Sequence, residues 1–445
     1  MKLETHIERS YMYNDIIKLL NLEQFNLKIE RIDTVKINNI LYCYIRLENQ
    51  KDKCPVCSQS PIINGYRNKK ITHSISNNNP CFIIYNARRF YCKTCKYTYY
   101  EKNPFALKND KLSTYTIYAV LNELKDHTVT FKNVGNKYNI SITSVLNIFD
   151  SYVDAKRRKL PEVICIDEFY TSRKRQYKYA CIFLDFITKK VIYVYASRRK
   201  DRLSSELSFI PKNERLNVKY VVIDMWDTYR DLASIYFPNC KIAVDSFHVI
   251  RHLNEAIDSI RIKIMKKYDK RTNKLIQNDI YYYMLKKFHF FFTMNFEKIF
   301  DTPTYIHKMK TKWTKHEIRN YLFSIDDDLK EAYILKERYR EFNLTADYET
   351  CDEEFEELID EFLNSKHEEF RTFGKLLFHW KEEIKNSFIR HLGKRLSNGP
   401  IEGTNSRIKT ILKSANGYKN FNRLRNRIMY SLNKDIPLNG NPKRK

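Results

Sequence analysis

The chain has 445 residues, 43% of them hydrophobic, enough for two to four domains with sizeable cores. Lys and Arg total 80 against 53 Asp and Glu, a net of +27, so a polyanionic partner is expected, nucleic acid first; compositional drift, read from the abundance of Lys, Asn, Ile and Tyr, is the alternative source of part of that excess. No apolar run approaches the ~18 residues of a membrane span, and "MKLETHIERSYMYND" lacks a signal-peptide core, so a cytoplasmic, nucleoid-associated protein with no membrane partner is expected.

Residues 1–50 read as an α+β segment: a short helix near "NDIIKLLNL", then strands "NLKIERIDTV" and "ILYCYIRLE" around an "INN" turn. Residues 51–105 carry two CxxC pairs among the ten cysteines, Cys54 with Cys57 and Cys92 with Cys95. In a large protein of this kind paired CxxC spacing is metal arithmetic rather than a disulfide framework. Four thiolates suit one tetrahedral, structural Zn2+ with no open position for chemistry; the bland alternative is four separate buried thiols. Arg88 and Arg89 beside the second pair are candidates to touch DNA, while cross-strand packing explains their aromatic neighbours equally well.

Residues 106–158 read as helices, with "TFKNVGNKYNISITSVLNIFDSY" fitting a helix-turn-helix in which Gly135 allows close crossing and Ser141 caps the second helix. Ser141, Thr143, Ser144 and Asn147 are its candidates to face a DNA groove; an ordinary helical hairpin is the other reading.

From 159 to 250 the pattern turns to strands: "EVICIDEF", "YKYACIFLDF", "KVIYVYASR", "VKYVVIDM" and "KIAVD", the last two joined by a helix and so parallel. Asp167 and Asp224 end apolar strands, and parallel neighbours would project both carboxylates from one sheet edge, where Mg2+ relieves their repulsion. Glu168 points to the opposite face, and Asp227 is placed as the cap of the following helix. In "DSFH", Asp245 and His248 read either as an N-cap with a first-turn partner or as a pair beside the metals. Residues 251–394 read as a helical insertion, its acidic stretch "ETCDEEFEELIDEF" as a solvated helix face.

Residues 395–436 resume the core, and 437–445 form a basic tail. In "LSNGPIEGTNSRIKTILKSANGY", Glu402 heads a basic helix just after Gly399 and Pro400. A first-turn acid complements the helix dipole, the ordinary reading of this stretch taken alone; the other reading is that it completes a metal site begun upstream, with Asn405 and Lys409 on its stripe facing metal water and phosphate.

These motifs together, "CPVC", "RRFYCKTC", "VICIDEF", "VVIDMWDTYRDLASIYFPNCKIAVDSFHVIRHLNEAID" and "SNGPIEGTNSRIKTILKSANGYKN", resemble the ISL-three family of bacterial insertion-sequence transposases, nearly end to end. The resemblance implies an α/β fold: a ribonuclease-H-like mixed five-stranded sheet with a large helical insertion, preceded by a zinc module and a helix-turn-helix. It implies a DDE triad of Asp167, Asp224 and Glu402, 57 and 178 residues apart, holding two Mg2+. Asp245 and His248 match a C/D-x-x-H element of related transposases. The partners implied are the element's terminal inverted repeats and target DNA, both double-stranded, in a homodimer or larger complex. A catalytically silent DNA-binding repressor and a structure-specific nuclease on the same fold are the rivals.

Overall fold

A computed structural model describes residues 13–49, 53–74, 80–108, 110–171, 178–271, 279–294 and 303–439; most of the basic tail lies outside them. The chain divides into two compact units, 1–156 with 406–445, and 157–405.

The first unit begins with helix α1 (13–19). Strands β1 (Ile29–Ile37) and β2 (Ile40–Leu47) then form a hairpin whose two turn residues, Asn38 and Asn39, both hold positive φ, as a tight right-twisting hairpin demands. Strands β3 (Ile62–His73), β4 (Cys81–Tyr91) and β5 (Thr98–Tyr100) complete one sheet of order β1-β2-β4-β3, with β5 also on β4. The CxxC stretch therefore shares a sheet with the N-terminal segment rather than standing apart. Alternation along β4 buries Cys81, Ile83, Tyr85 and Ala87 against Leu20, Leu22, Ile71 and Phe105, and leaves the opposite face outside this core.

Helices α2 (Thr114–Glu123), α3 (Phe131–Tyr138) and α4 (Ile142–Tyr152) follow. Thr130 and Ser141 cap α3 and α4 through their hydroxyls. A Cβ at Gly135 would stand 2.8 Å from the Ile140 carbonyl, so glycine is what lets the turn fold back on α3.

In the second unit, β6 (Val163–Tyr170), β7 (Tyr179–Asp185), β8 (Val191–Tyr195), β9 (Tyr220–Ile223) and β10 (Lys241–Val244) form a mixed five-stranded sheet of order β10-β9-β6-β7-β8. Strand β9 runs parallel to both β6 and β10, while β6-β7 and β7-β8 are antiparallel. Helices α5 (Lys200–Ser208), α6 (Lys212–Leu216) and α7 (Asp227–Tyr236) fill the connections. Trp226, not Asp227, holds the N-cap position of α7; Asp227 is its first residue, and its carboxylate accepts from Arg230 at 2.5 Å and contacts His379 Nε2 at 3.0 Å.

The insertion is mostly helical: α8 (Ser246–Lys267), α9 (Ile280–Lys287), α10 (Lys315–Ser324), α11 (Asp327–Thr345), α12 (Asp352–Leu363), α13 (Glu368–His379) and α14 (Lys381–Asn386), with two short hairpins. Its apolar faces join the sheet in one continuous core, so it is built onto the sheet rather than appended to it. Helix α12 buries Phe355, Leu358, Ile359 and Phe362 and turns its acids outward, where Asp352 and Glu356 meet Lys385 and Lys381. Gly374 allows the close crossing, since a Cβ there would lie 2.8 Å from the Leu363 nitrogen.

Helix α15 (Gly399–Ser414) carries the division between the units within it, and α16 (Phe421–Asn433) belongs wholly to the first unit. The sequence grouping of 395–436 with the strand-rich core thus differs from the observed division. The reason is Arg427. It is fully buried, and its guanidinium donates to the carbonyls of Leu124, Asp126 and Val129 between α2 and α3. The Tyr430 hydroxyl reaches the Leu121 carbonyl, and Arg423 grips Asp150 on α4.

Candidate active site

Register builds the site. Cys165 on β6, Val222 on β9 and Ala243 on β10 stand side by side. Side chains repeat their face every second residue, so two positions further along come Asp167, Asp224 and Asp245, a row of three carboxylates at the strand ends. Burial, and then the Asp224 charge, push the Asp167 carboxyl up to about 7. The Glu168 amide donates to Asp167 Oδ1 at 2.7 Å and opposes that shift.

Asp245 occupies the N-cap position of α8 yet makes no capping hydrogen bond through its side chain. It is buried, its Oδ2 has no hydrogen-bond partner, and burial raises its pKa. One turn on, His248 Nε2 lies 3.0 Å from Asp224 Oδ1, and that contact makes the imidazole more basic than usual. Glu168 faces away from this row, as expected. Its carboxylate takes the Arg198 guanidinium at 2.5 Å and the Tyr229 hydroxyl at 3.0 Å. Arg198 in turn stacks on Tyr179 and Trp226.

Glu402 enters on α15, which begins at Gly399, so Pro400 lies inside the first turn, where a missing N–H costs no hydrogen bond. Glu402 is exposed, and it is near enough to Asp245 to add to the raising of that carboxyl. Two asparagines flank it. Asn398 Nδ2 donates to Asp224 Oδ1 at 3.2 Å and to the Ile166 carbonyl at 3.4 Å. Asn405 Nδ2 donates to Asp167 Oδ2 at 2.6 Å and to the Glu168 carbonyl at 3.4 Å. The segment bearing Glu402 is thereby tied to both strand-end aspartates. The sequence reading missed Asn398, which looks like an ordinary turn residue in "SNGP". It set Asn405 toward metal water and phosphate; the residue is buried and its side-chain amide donates to Asp167. Lys409 is exposed, on the part of α15 that belongs to the first unit. Asp167, Asp224 and Glu402 do not bring three oxygens within 4.8 Å; among the described residues the cysteines are the one group that converges so tightly.

Those cysteines sit on two matching knuckles. In one, the Cys54 amide donates to the Gln59 carbonyl; in the other, the Cys92 amide donates to the Tyr97 carbonyl, both at 2.9 Å. Ser58 and Lys96, which follow the second cysteine of each pair, both take positive φ. The closest sulfur pairs are 3.4 to 3.6 Å apart. A zinc tetrahedron with bonds of about 2.3 Å needs roughly 3.8 Å, so the cluster is compatible with zinc. The Cys95 amide, facing the Cys92 sulfur, is the leading influence that lowers its thiol to about 6, toward the thiolate that binds metal.

Ser141, Thr143 and Asn147 are exposed along the start of α4, and half-buried Ser144 pairs with the Ser141 hydroxyl at 2.9 Å. Arg89 is exposed, whereas Arg88 is turned into the protein. It is 3% exposed, with its guanidinium on Glu101, Glu30 and the Leu47 carbonyl. The sheet closes over it, and two carboxylates balance its charge.

A profile described as that of a transposase matches residues 164–428, more than half of the chain and the whole span from the first strand-end aspartate through Glu402. The chain belongs to this family, the ISL-three-type transposases. It is similar to the transposase for insertion sequence element IS1001 of Bordetella parapertussis, 26% identical over 102 residues, 23% of this chain. The chain spans only a quarter of that relative's length, 25%. No helix among the described residues is long and apolar enough to cross a membrane.

Proposed function

We propose that the protein binds the terminal inverted repeats of an insertion sequence and cuts and joins DNA strands through Asp167, Asp224 and Glu402, on a ribonuclease-H-like core. The observation that carries this is the strand register that aligns Asp167 with Asp224, together with the two asparagines that bind the Glu402 segment to both. The donor set fits Mg2+. It is all oxygen, as that ion prefers, and Asp245 Oδ2, Asn398 Oδ1 and Asn405 Oδ1 are buried there without hydrogen-bond partners. The Asp167 carboxyl, raised by burial and then by the Asp224 charge, is also one that a nearby cation would hold ionised. When bound, two Mg2+ would supply an activated attacking oxygen and a stabilised leaving oxygen for in-line displacement at phosphorus.

The chain's own residues do the rest. Asp167 and Asp224 would hold the metals from the sheet edge, and Glu402 from the head of α15. Asn398 and Asn405 orient the two aspartates and are positioning residues. His248 fixes one oxygen of Asp224, leaving the other for metal. The four cysteines would hold one structural Zn2+, and α3-α4 would read the repeats as a helix-turn-helix, through Thr143 and Asn147 first. Cutting both ends of one element calls for a dimer or larger complex. The test is incubation of the protein with the DNA flanking its own gene and Mg2+, with strand breaks mapped. Breaks at the element's ends are expected; breaks scattered without regard to them, or none, would overturn the reading.

A further inference from the structure

The first unit carries a face that none of this chemistry uses. In its sheet the inner side is closed by the apolar core. On the outer side, register places Tyr42 beside Phe82, Tyr44 one row along, and Arg46 the next, with Lys70 across β4 from the Tyr44 row. The surface is aromatic where a solvated sheet face is ordinarily polar. Tyr42 and Phe82 stack with ring centroids 5.7 Å apart. Lys70 Nζ stands 3.8 Å from the Phe82 centroid, and the Arg46 guanidinium lies 4.7 Å over the Tyr66 ring. Tyr44 and Tyr66 remain 41% and 49% exposed, enough to receive a flat partner. The Arg31–Asp33 pair is neutral in sum, and Arg46 and the buried Arg88 are matched by Glu30 and Glu101, Glu30 lying 3.8 Å from Arg46, so Lys70 gives the face its positive sign.

We propose that this outer sheet face is a platform for an unpaired DNA strand, Tyr44 and Tyr66 stacking on bases while Arg46 and Lys70 meet the phosphates. Aromatic rings on a flat sheet suit bases freed from a duplex, whose paired bases are closed to such stacking. The cations laid on the rings match a polyanionic backbone. The proposal deepens the reading above by adding single-stranded DNA as a second ligand, and it rests on that reading for DNA as the partner.

The test uses the full chain, a labelled 15-mer of thymidylate and a duplex carrying the element's end. The wild type is expected to bind both. Tyr44→Ala with Tyr66→Ala is expected to weaken binding of the 15-mer at least tenfold, two stacking contacts being at stake, and to leave duplex binding within twofold. Tyr44→Phe with Tyr66→Phe keeps the rings and is expected to bind the 15-mer like the wild type. If the alanine pair melts at a lower temperature, Lys70→Glu gives the same readout without removing a ring. No binding of the 15-mer by the wild type, or equal losses on both DNAs, would overturn the proposal. Failure of the wild type to bind the duplex would instead count against the repeat-binding reading.

Discussion

The cysteine cluster and the carboxylate row, the two places proposed to hold metal, are assembled in opposite ways. The cysteines come from two short knuckles, each closed by its own backbone hydrogen bond, and their sulfurs converge within 4.8 Å. The acids come from strand ends and a helix head 57 and 178 residues apart, and they stop short of such convergence. Local backbone geometry can preassemble thiols, because most of them can stay protonated until they bind and the knuckle amides ease the ionisation of Cys92. Carboxylates in one place repel, so register can align them but the last approach is left to the cation. A structural site is thus finished by the fold, and a catalytic one is kept open for its substrate and metals.

The largest effect should come from the finished site. Cys92→Ser is expected to reduce zinc from one per chain to none and to remove on the order of 10 kcal/mol of metal-linked stability from the first unit, leaving the second folded. Elemental analysis with thermal melting reads both; zinc retained at one per chain would break the contrast.

Acid should separate the units next. His73 is buried between the Ser113 hydroxyl and the Leu20 carbonyl, and burial lowers its pKa from 6.5 to about 4. A neutral imidazole is therefore favoured by folding. Its contribution is intact above pH 6.5 and is lost as pH falls toward 4, by ~3 kcal/mol. Melting of the metal-loaded wild type against His73→Asn should show that pH dependence in the wild type alone.

The asparagine ties should matter less for folding than for chemistry. Asn398→Ala and Asn405→Ala each remove a donor to a charged oxygen, worth about 1.5–3 kcal/mol, so cleavage is expected to fall by about 10- to 100-fold with end binding unchanged. Cleavage at the wild-type rate would show that register alone orients the aspartates. The smallest effect is on recognition: Thr143→Ala with Asn147→Ala should reduce preference for the element's ends by about tenfold, near 1–3 kcal/mol for lost base contacts, as measured by competition against random DNA.

The sequence made the parallel β9-β10 pair legible, and separately the strand-end aspartates Asp167 and Asp224, because a strand–helix–strand rhythm and an apolar run ending in Asp depend on neighbours alone. The cysteine pairs were legible for the same reason. That β6 lies parallel beside β9 was not legible, and neither was Arg88. Its burial goes with ion pairs to Glu101, 13 residues on, and Glu30, 58 residues back, and nothing in "ARRFYC" separates it from exposed Arg89. Asp227 looked like a cap because Asp commonly is one, but Trp226 takes that position while Arg230 and His379 hold the Asp227 carboxylate. The placing of α16 with the early helices depended on one buried arginine meeting carbonyls some 300 positions back, a long-range pairing that periodicity does not carry.

The most direct test of the account is Glu402→Gln, assayed for DNA cleavage at the element's ends in Mg2+. The substitution keeps shape and helix, removes one charge and leaves Asn398 and Asn405 in place. We predict a folded protein that binds the ends as the wild type does and cuts at least 1000-fold more slowly, a barrier increase of about 4 kcal/mol. Cleavage within a few-fold of the wild type would contradict the account, return Glu402 to the role of a first-turn acid and leave Asp167 and Asp224 without a third member.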